Sequence, residues 1–236
     1  MFNPRPQVQA IAIGDGHACI VVDDALVGPE RLPAFAHAYR EDFQQAPAGL
    51  FPGQQLRMPE EFTQLLGEVF REHARHALGT RRVLFGASRL SLVTSPPQAL
   101  APAHWNPRRV RAFEPDQRVV IAELFLFQDP SLGGTQFFVP RVSPQQIEQL
   151  EHDAEALAPD EFSRRHGLGA SYPQDSHPCF APALSVPARW NRLLFHDGAA
   201  FHAPAIRDPA RLAADPRSGR LSLTAAFTCS RPRVPW

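Results

Sequence analysis

The sequence predicts an α+β fold in which helices precede a β-sandwich or barrel, and three observations carry that prediction. Apolar residues recur at helical spacing in the first third of the chain. After Gly79 the period shortens to the alternation of strands. The strand-like runs are joined by long segments bearing proline and glycine, too irregular for the regular alternation of a doubly wound parallel sheet.

The elements follow in order. ACIVVDD (Ala18 to Asp24) reads as an opening strand. Gly28-Pro29-Glu30 then opens a helix whose Leu32, Phe35, Ala36, Tyr39 and Phe43 share one face. A second helix starts with Pro59 in its first turn, where a missing N–H costs nothing, and carries Phe62, Leu65, Leu66, Val69, Phe70 and His73. His73 and His76 sit three apart on it, without a carboxylate or third histidine to complete a metal site. RLSLVTS (Arg89 to Ser95) alternates, and RVVIAELFLF (Arg118 to Phe127) reads as a strand buried on both faces except at Glu123. TQFFV (Thr135 to Val139) follows a Gly133-Gly134 turn. Ser143-Pro144-Gln145-Gln146 is a capping box that opens a third helix with Ile147, Leu150, Ala154 and Leu157. RLLFHD (Arg192 to Asp197) and RLSLTAAFT (Arg220 to Thr228) close the series as strands. The 25 prolines are dispersed and no repeat or linker divides the 236 residues, so one domain is expected, helical over about 24–80 and β over about 83–230.

Composition narrows the chemistry. The net charge is zero, which leaves no basic field for nucleic acid. All 24 basic residues are arginine, which excludes Schiff-base lysines, P-loop lysines and Ser-Lys dyads together. Neither a dinucleotide fingerprint nor a Gly-x-Ser-x-Gly elbow is present. Cys19, Cys179 and Cys229 lack Cys-x-x-Cys spacing and read as buried free thiols of a reducing compartment. The opening MFNPRPQVQA lacks the charged and apolar regions of a signal peptide, and no apolar run approaches the roughly 20 residues of a membrane span. A cytoplasmic setting is expected, without a membrane partner.

Two segments carry candidate chemistry. NRLLFHDGAAFHAP places His202 just past a strand end, and DPRSGRLSLTAAF begins the next strand with Arg220. A neutral imidazole is a ligand for Fe(II), and a guanidinium is a planar fork for a carboxylate. Earlier, PAHWNP (Pro102 to Pro107) holds His104 and Asn106, almost a His-x-Asp pair with an amide in place of the acid. Glu123 in its apolar strand calls for a partner, either an arginine at the core edge or a role in a site. His196-Asp197 and Asp175-Ser176-His177 resemble ligand pairs, but such pairs in loops also serve as turn caps.

Most of the chain resembles a bacterial family of 2-oxoglutarate/Fe(II)-dependent oxygenases. The matching stretches are VVDDAL, FPGQ (Phe51 to Gln54), RLSLVTSPPQALAP (Arg89 to Pro102), LGGTQFF (Leu132 to Phe138), WNRLLF (Trp190 to Phe195), FHAP (Phe201 to Pro204) and DPRSGRLSLTAAF, in family order from about residue 18 to 228. The resemblance implies a double-stranded β-helix, or jelly roll, with flanking N-terminal helices. It implies Fe(II) held by His202 and an earlier His-x-Asp, 2-oxoglutarate bound by Arg220, and hydroxylation of a small-molecule or peptide substrate. The His-x-Asp is where the sequence departs, and two placements compete. One takes His104 and Asn106 as metal ligands beside His202. The other counts without a gap from Leu100, which puts Arg108 at the histidine position and Val110 at the acid; counting back from Arg118 gives Val110 and Ala112. An amide is a weaker ligand than a carboxylate, and an arginine would repel a metal and hold an anion itself. The alternative is therefore a non-catalytic, metal-free jelly roll that binds a small anion or a protein partner. Oligomeric state and substrate are not legible.

Overall fold

The computed structural model describes residues 2–232. The chain opens with a hairpin, β1 (Gln7–Gly14) and β2 (His17–Asp23), followed by α1 (Arg31–Ala38), β3 (Gln44–Gln45), β4 (Gly53–Arg57) and α2 (Glu60–His73). Then come β5 (Val83–Val93), β6 (Gln117–Phe125), β7 (Thr135–Pro140), α3 (Pro144–Ala156), α4 (Pro159–His166), β8 (Phe180–Val186), β9 (Leu193–Asp197), β10 (Phe201–Pro204) and β11 (Arg220–Ser230). Helix and antiparallel sheet are mixed, as the α+β expectation required. Among the described residues no helix is long and apolar enough to cross a membrane.

Two antiparallel sheets form the body. The larger has the order β1-β2-β9-β6-β11-β5-β4-β3 and the smaller β10-β7-β8. A one-residue bridge between Arg108 and His202 extends the small sheet beyond β10. Strand alternation then sorts the core into three clusters. One face of the large sheet (Val120, Leu124, Phe195, Leu223, Phe227) packs under Leu32, Phe62, Leu66 and Phe70 of α1 and α2. The other face meets the small sheet through Cys19, Val21, Phe125, Phe137 and Leu194. The outer face of the small sheet (Phe138, Phe180, Phe201) is covered by Ile147 and Leu150 of α3 and Phe162 of α4. Phe137 and Phe138 thus serve opposite cores, as neighbours in a strand must.

Several boundaries depart from the sequence reading. β5 begins at Val83 rather than Arg89, because β11 pairs with it along the whole length, Cys229 opposite Val83. α1 ends at Ala38, and Phe43 reaches the same core from extended backbone after a 3-10 turn at Arg40–Asp42. Pro59 caps α2 from outside, in extended conformation, instead of occupying its first turn. α2 stops at His73, so His76 lies in the turn beyond it, where its Nε2 meets Arg75 Nη2 at 3.0 Å. β1, β3, β4, β8, β10 and α4 have no counterpart in the sequence reading. β1 and β4 are edge or near-edge strands with exposed polar positions, and their alternation is correspondingly faint. The capping box of α3 is present in both directions, Gln146 N–H donating to Ser143 Oγ and Ser143 N–H to Gln146 Oε1. All three cysteines are free; Cys19 and Cys229 are buried and Cys179 half-buried.

Candidate functional site

His202 sits on the face of β10 that looks between the sheets. Its ring meets His196 of β9 at 4.5 Å between centroids and Phe137 of β7 at 6.3 Å. Directly across from it stands Arg108. The two residues exchange both backbone bonds, Arg108 N–H to His202 O at 2.9 Å and His202 N–H to Arg108 O at 2.8 Å. Such a pair projects its side chains side by side on one face. The ungapped count from Leu100 is therefore the one whose residue stands opposite His202. Its acid position, Val110, lies just past this bridge and donates its N–H to Gly198 O at 2.6 Å.

Arg108 Nη1 donates to the carbonyl oxygens of Gly49 and Leu50, which fixes one arm of the guanidinium. Its Nε and Nη2 have no partner among the described residues, and neither does its charge have a carboxylate there. Burial lowers the Arg108 pKa, yet arginine stays protonated across any working pH. His202 Nδ1 lies 2.9 Å from Ala200 O, so Nδ1 carries the proton and the Nε2 lone pair is left uncommitted. Burial, then the neighbouring His196 and Arg108, hold the His202 pKa well below the usual range. The result is a fixed cation with one bidentate edge to offer, next to a neutral imidazole that accepts.

His196, which the sequence reading offered as a ligand pair or turn cap with Asp197, is instead the residue that lies beside His202 between the sheets. Its Nδ1 bonds to Asp197 O at 2.9 Å, and burial lowers its pKa as well. The strand period was the available signal: His196 lies two residues after Leu194, on the face that carries Cys19 across the β2 pairing. Asp197 turns away from this cluster to meet His17 Nδ1 at 3.2 Å and Arg118 Nη1 at 3.4 Å.

Arg220 starts β11 and is 1% exposed. It donates from Nη2 to Glu123 Oε1 at 3.2 Å and to Gly134 O at 3.0 Å, and from Nε to Gly133 O at 3.2 Å. Glu123 Oε2 accepts from Thr135 Oγ1 at 2.5 Å. Glu123 is thus the ion-pair partner of a core-edge arginine. The Gly-Gly turn presents the two carbonyls, and it must be glycine: a Cβ on Gly133 would stand 2.1 Å from Ala205 O, and on Gly134 2.0 Å from Val186 O. Of the guanidinium, Nη1 alone has no partner among the described residues.

His104 and Asn106 lie in a separate turn. Pro102–His104 is a 3-10 turn locked by Trp105, whose Nε1 donates to Leu100 O at 3.0 Å. Asn106 donates to Pro102 O at 2.9 Å, and its Oδ1 lies 3.1 Å from His177 Nε2. His177 Nδ1 accepts from the Cys179 N–H at 3.2 Å, so its proton is on Nε2 and is donated to Asn106. The amide holds the turn against the Asp175-Ser176-His177 loop, so in this structure its oxygen is engaged by His177. His104 is 8% exposed, and both of its ring nitrogens are buried without a partner among the described residues. Burial, then Arg108, push its pKa down to about 4.

These donors do not fit a 2-His-1-carboxylate metal centre. His202 offers one lone pair, but a guanidinium stands beside it, the Glu123 oxygens are engaged, and Asn106 belongs to His177. Among the described residues no group of three or more His, Cys, Asp or Glu side chains is placed to hold a metal. Asn106→Ala should leave the His177 Nε2–H unpaired and cost about 1–3 kcal/mol in denaturant unfolding. An unchanged unfolding midpoint would contradict this structural role.

The fold has distant likenesses among solved structures. The non-heme α-ketoglutarate dependent epimerase SnoN from nogalamycin biosynthesis is 14% identical over 91% of this chain and 80% of its own, with a TM-score of 0.43. A prolyl-4-hydroxylase from Pseudomonas putida is 14% identical over 92% and 93%, with a TM-score of 0.43. HygX from Streptomyces hygroscopicus, solved with nickel and 2-oxoglutarate bound, is 14% identical over 90% and 82%, with a TM-score of 0.41. At such identity and overlap these likenesses assign no activity, metal or cosubstrate to this chain. No curated protein matches it. Residues 4–227 match the model of DUF6445, and the chain belongs to this family of unknown function.

Proposed function

We propose that this protein binds a small carboxylate-bearing molecule, without a metal, in the lumen of a double-stranded β-helix. The observation that carries the reading is the pairing of Arg108 with His202. The Arg108 Nε and Nη2 edge is a fork that matches a carboxylate bidentately. The His202 Nε2 lone pair accepts from a hydroxyl or protonated group on the same ligand. Arg220 Nη1 is the candidate contact for a second carboxylate, which makes 2-oxoglutarate the natural first probe. The jelly-roll reading is supported by the way successive strands from β5 onward divide between the large and small sheets, with the Arg108 bridge to the small sheet falling between β5 and β6.

A second reading, a 2-oxoglutarate/Fe(II)-dependent oxygenase that hydroxylates a substrate, is favoured by one observation, the uncommitted Nε2 of His202. The chain would then need ligands other than Asn106, and the Arg108 cation would oppose the metal. Calorimetric titration of the anaerobically purified protein separates the two. Binding of 2-oxoglutarate is expected without metal, unchanged by Mn(II), and weakened about a hundredfold or more in Arg108→Ala, the scale of a lost charge-assisted pair. Stoichiometric iron that disappears in His202→Ala, with 2-oxoglutarate binding only when metal is present, would overturn the proposal in favour of the oxygenase.

A further inference from the structure

We propose that Arg57, Arg89 and Thr224 form a binding site for the phosphate monoester group of a small molecule, on the face of the large sheet turned away from α1 and α2. This is independent of the ligand reading of Arg108 and His202. Strand register puts the three in one row: Arg57 of β4 stands opposite Arg89 of β5, and Arg89 opposite Thr224 of β11. Their neighbours Leu56, Leu90, Leu223 and Ala225 belong to the core under the helices, so the row itself looks out from the other face. In the next pair along, Met58 N–H donates to Ser88 O at 3.0 Å. Arg57 and Arg89 are therefore a non-hydrogen-bonded pair, the kind whose side chains come closest. Both arginines are exposed, and Thr224 is half-buried.

Like charges directly opposite one another on a sheet repel, and this pair has nothing to offset the cost. Arg109, Arg192 and Arg211 each donate to a carboxylate, whereas Arg57 and Arg89 have no ion pair and no side-chain hydrogen bond among the described residues. Glu60, the acid nearest to Arg57 in the chain, accepts from Gln64 Nε2 at 3.3 Å instead. Thr224 adds a free donor. The buried Ser91 Oγ accepts from Gln55 Nε2 at 3.0 Å and lies 2.7 Å from Thr224 Oγ1. The Ser91 hydroxyl hydrogen has no other acceptor among the described residues, so Ser91 donates to Thr224 and the Thr224 O–H is left to donate elsewhere.

Charge identifies the ligand. A carboxylate or a phosphodiester brings one negative charge and leaves one guanidinium uncompensated. A phosphate monoester brings close to two, with three acceptor oxygens for two guanidinium forks and a hydroxyl. The chain has no net charge, so the two cations are a local feature rather than part of a wider basic field. Further along the same face of β5, Ala87 is small and Phe85 is 65% exposed, which gives apolar ground for the body of an ester.

Calorimetric titration of the full chain with phenyl phosphate, inorganic phosphate and dimethyl phosphate tests the proposal. Phenyl phosphate is expected to bind with a Kd between about 10 µM and 1 mM. Inorganic phosphate should bind more weakly for want of the ring, and dimethyl phosphate about tenfold more weakly for want of the second charge. Arg57→Gln and Arg89→Gln should each weaken phenyl phosphate about tenfold, and Thr224→Val about threefold. Both arginine variants should unfold at or above the wild-type denaturant midpoint, because each removes the repulsion, so lost binding is not lost fold. Absence of phenyl phosphate binding up to about 10 mM overturns the proposal, as does binding that survives both arginine substitutions. Equal affinity for inorganic phosphate or for the diester overturns it too, by assigning the row to a free ion or to any single charge.

Discussion

Glu123→Leu is expected to destabilise the fold by about 3–5 kcal/mol, because it strands a buried cation. Arg220 is enclosed, and among the described residues Glu123 supplies the one negative charge that meets it, at 3.2 Å. The carbonyls of Gly133 and Gly134 satisfy two donors but carry no net charge. Arg220→Leu alone leaves Glu123 with only Thr135 and should also be costly. The double variant, which removes both charges, should recover most of the loss, since a buried pair exchanged for apolar groups is often neutral or better. Denaturant unfolding of the four proteins forms a double-mutant cycle. A coupling below about 0.5 kcal/mol would show that the pair does not act as a unit.

Lowering the pH from 7 to 5 should cost stability well before the carboxylates titrate. Burial holds His104 and His177 down to about 4, and His196 and His202 are depressed as well. The sign follows from proton counting. Between the ordinary histidine value of about 6.5 and the folded values, the unfolded chain binds protons that the folded chain refuses. Stability is therefore complete above about pH 6.5, falls as the pH drops towards 4, and stops falling on this account below the folded values. Each depressed histidine contributes up to about 2 kcal/mol between pH 6.5 and 5. Asp23, held low by its hydrogen bond from Arg192, acts only below about pH 4, outside this window. His104→Leu removes one such group, so its loss between pH 7 and 5 should be smaller than wild type by about 2 kcal/mol. Equal losses in the two proteins would refute the assignment to His104.

The long strands and the amphipathic helices were legible because their signals are local. Arg118 to Phe127 announces a strand buried on two faces, and Ser143 with Gln146 announces a helix start through atoms three residues apart. Glu123 could be flagged as needing a partner, since an acid amid apolar residues is costly wherever the chain goes. The edge strand β1 and the near-edge strand β4 left little trace, because a strand with exposed polar positions shows no clear apolar face. PAHWNP left two placements open for a physical reason: His-x-Asn has the spacing of a ligand pair, but spacing does not say which way the groups point.

The sequence by itself determined that this is an α+β protein with an arginine-only basic complement, a capped third helix, a Gly-Gly turn before β7 and a candidate pair in His202 and Arg220. Only the tertiary structure decided the partners. It put Arg108 opposite His202, gave Glu123 and the Gly133 and Gly134 carbonyls to Arg220, and gave the Asn106 amide to His177, 71 residues away. The reason is physical. Periodicity and capping depend on neighbours within a turn or two, whereas charges and hydrogen-bonding groups pair across strands whose register is set by the packing of the whole sheet.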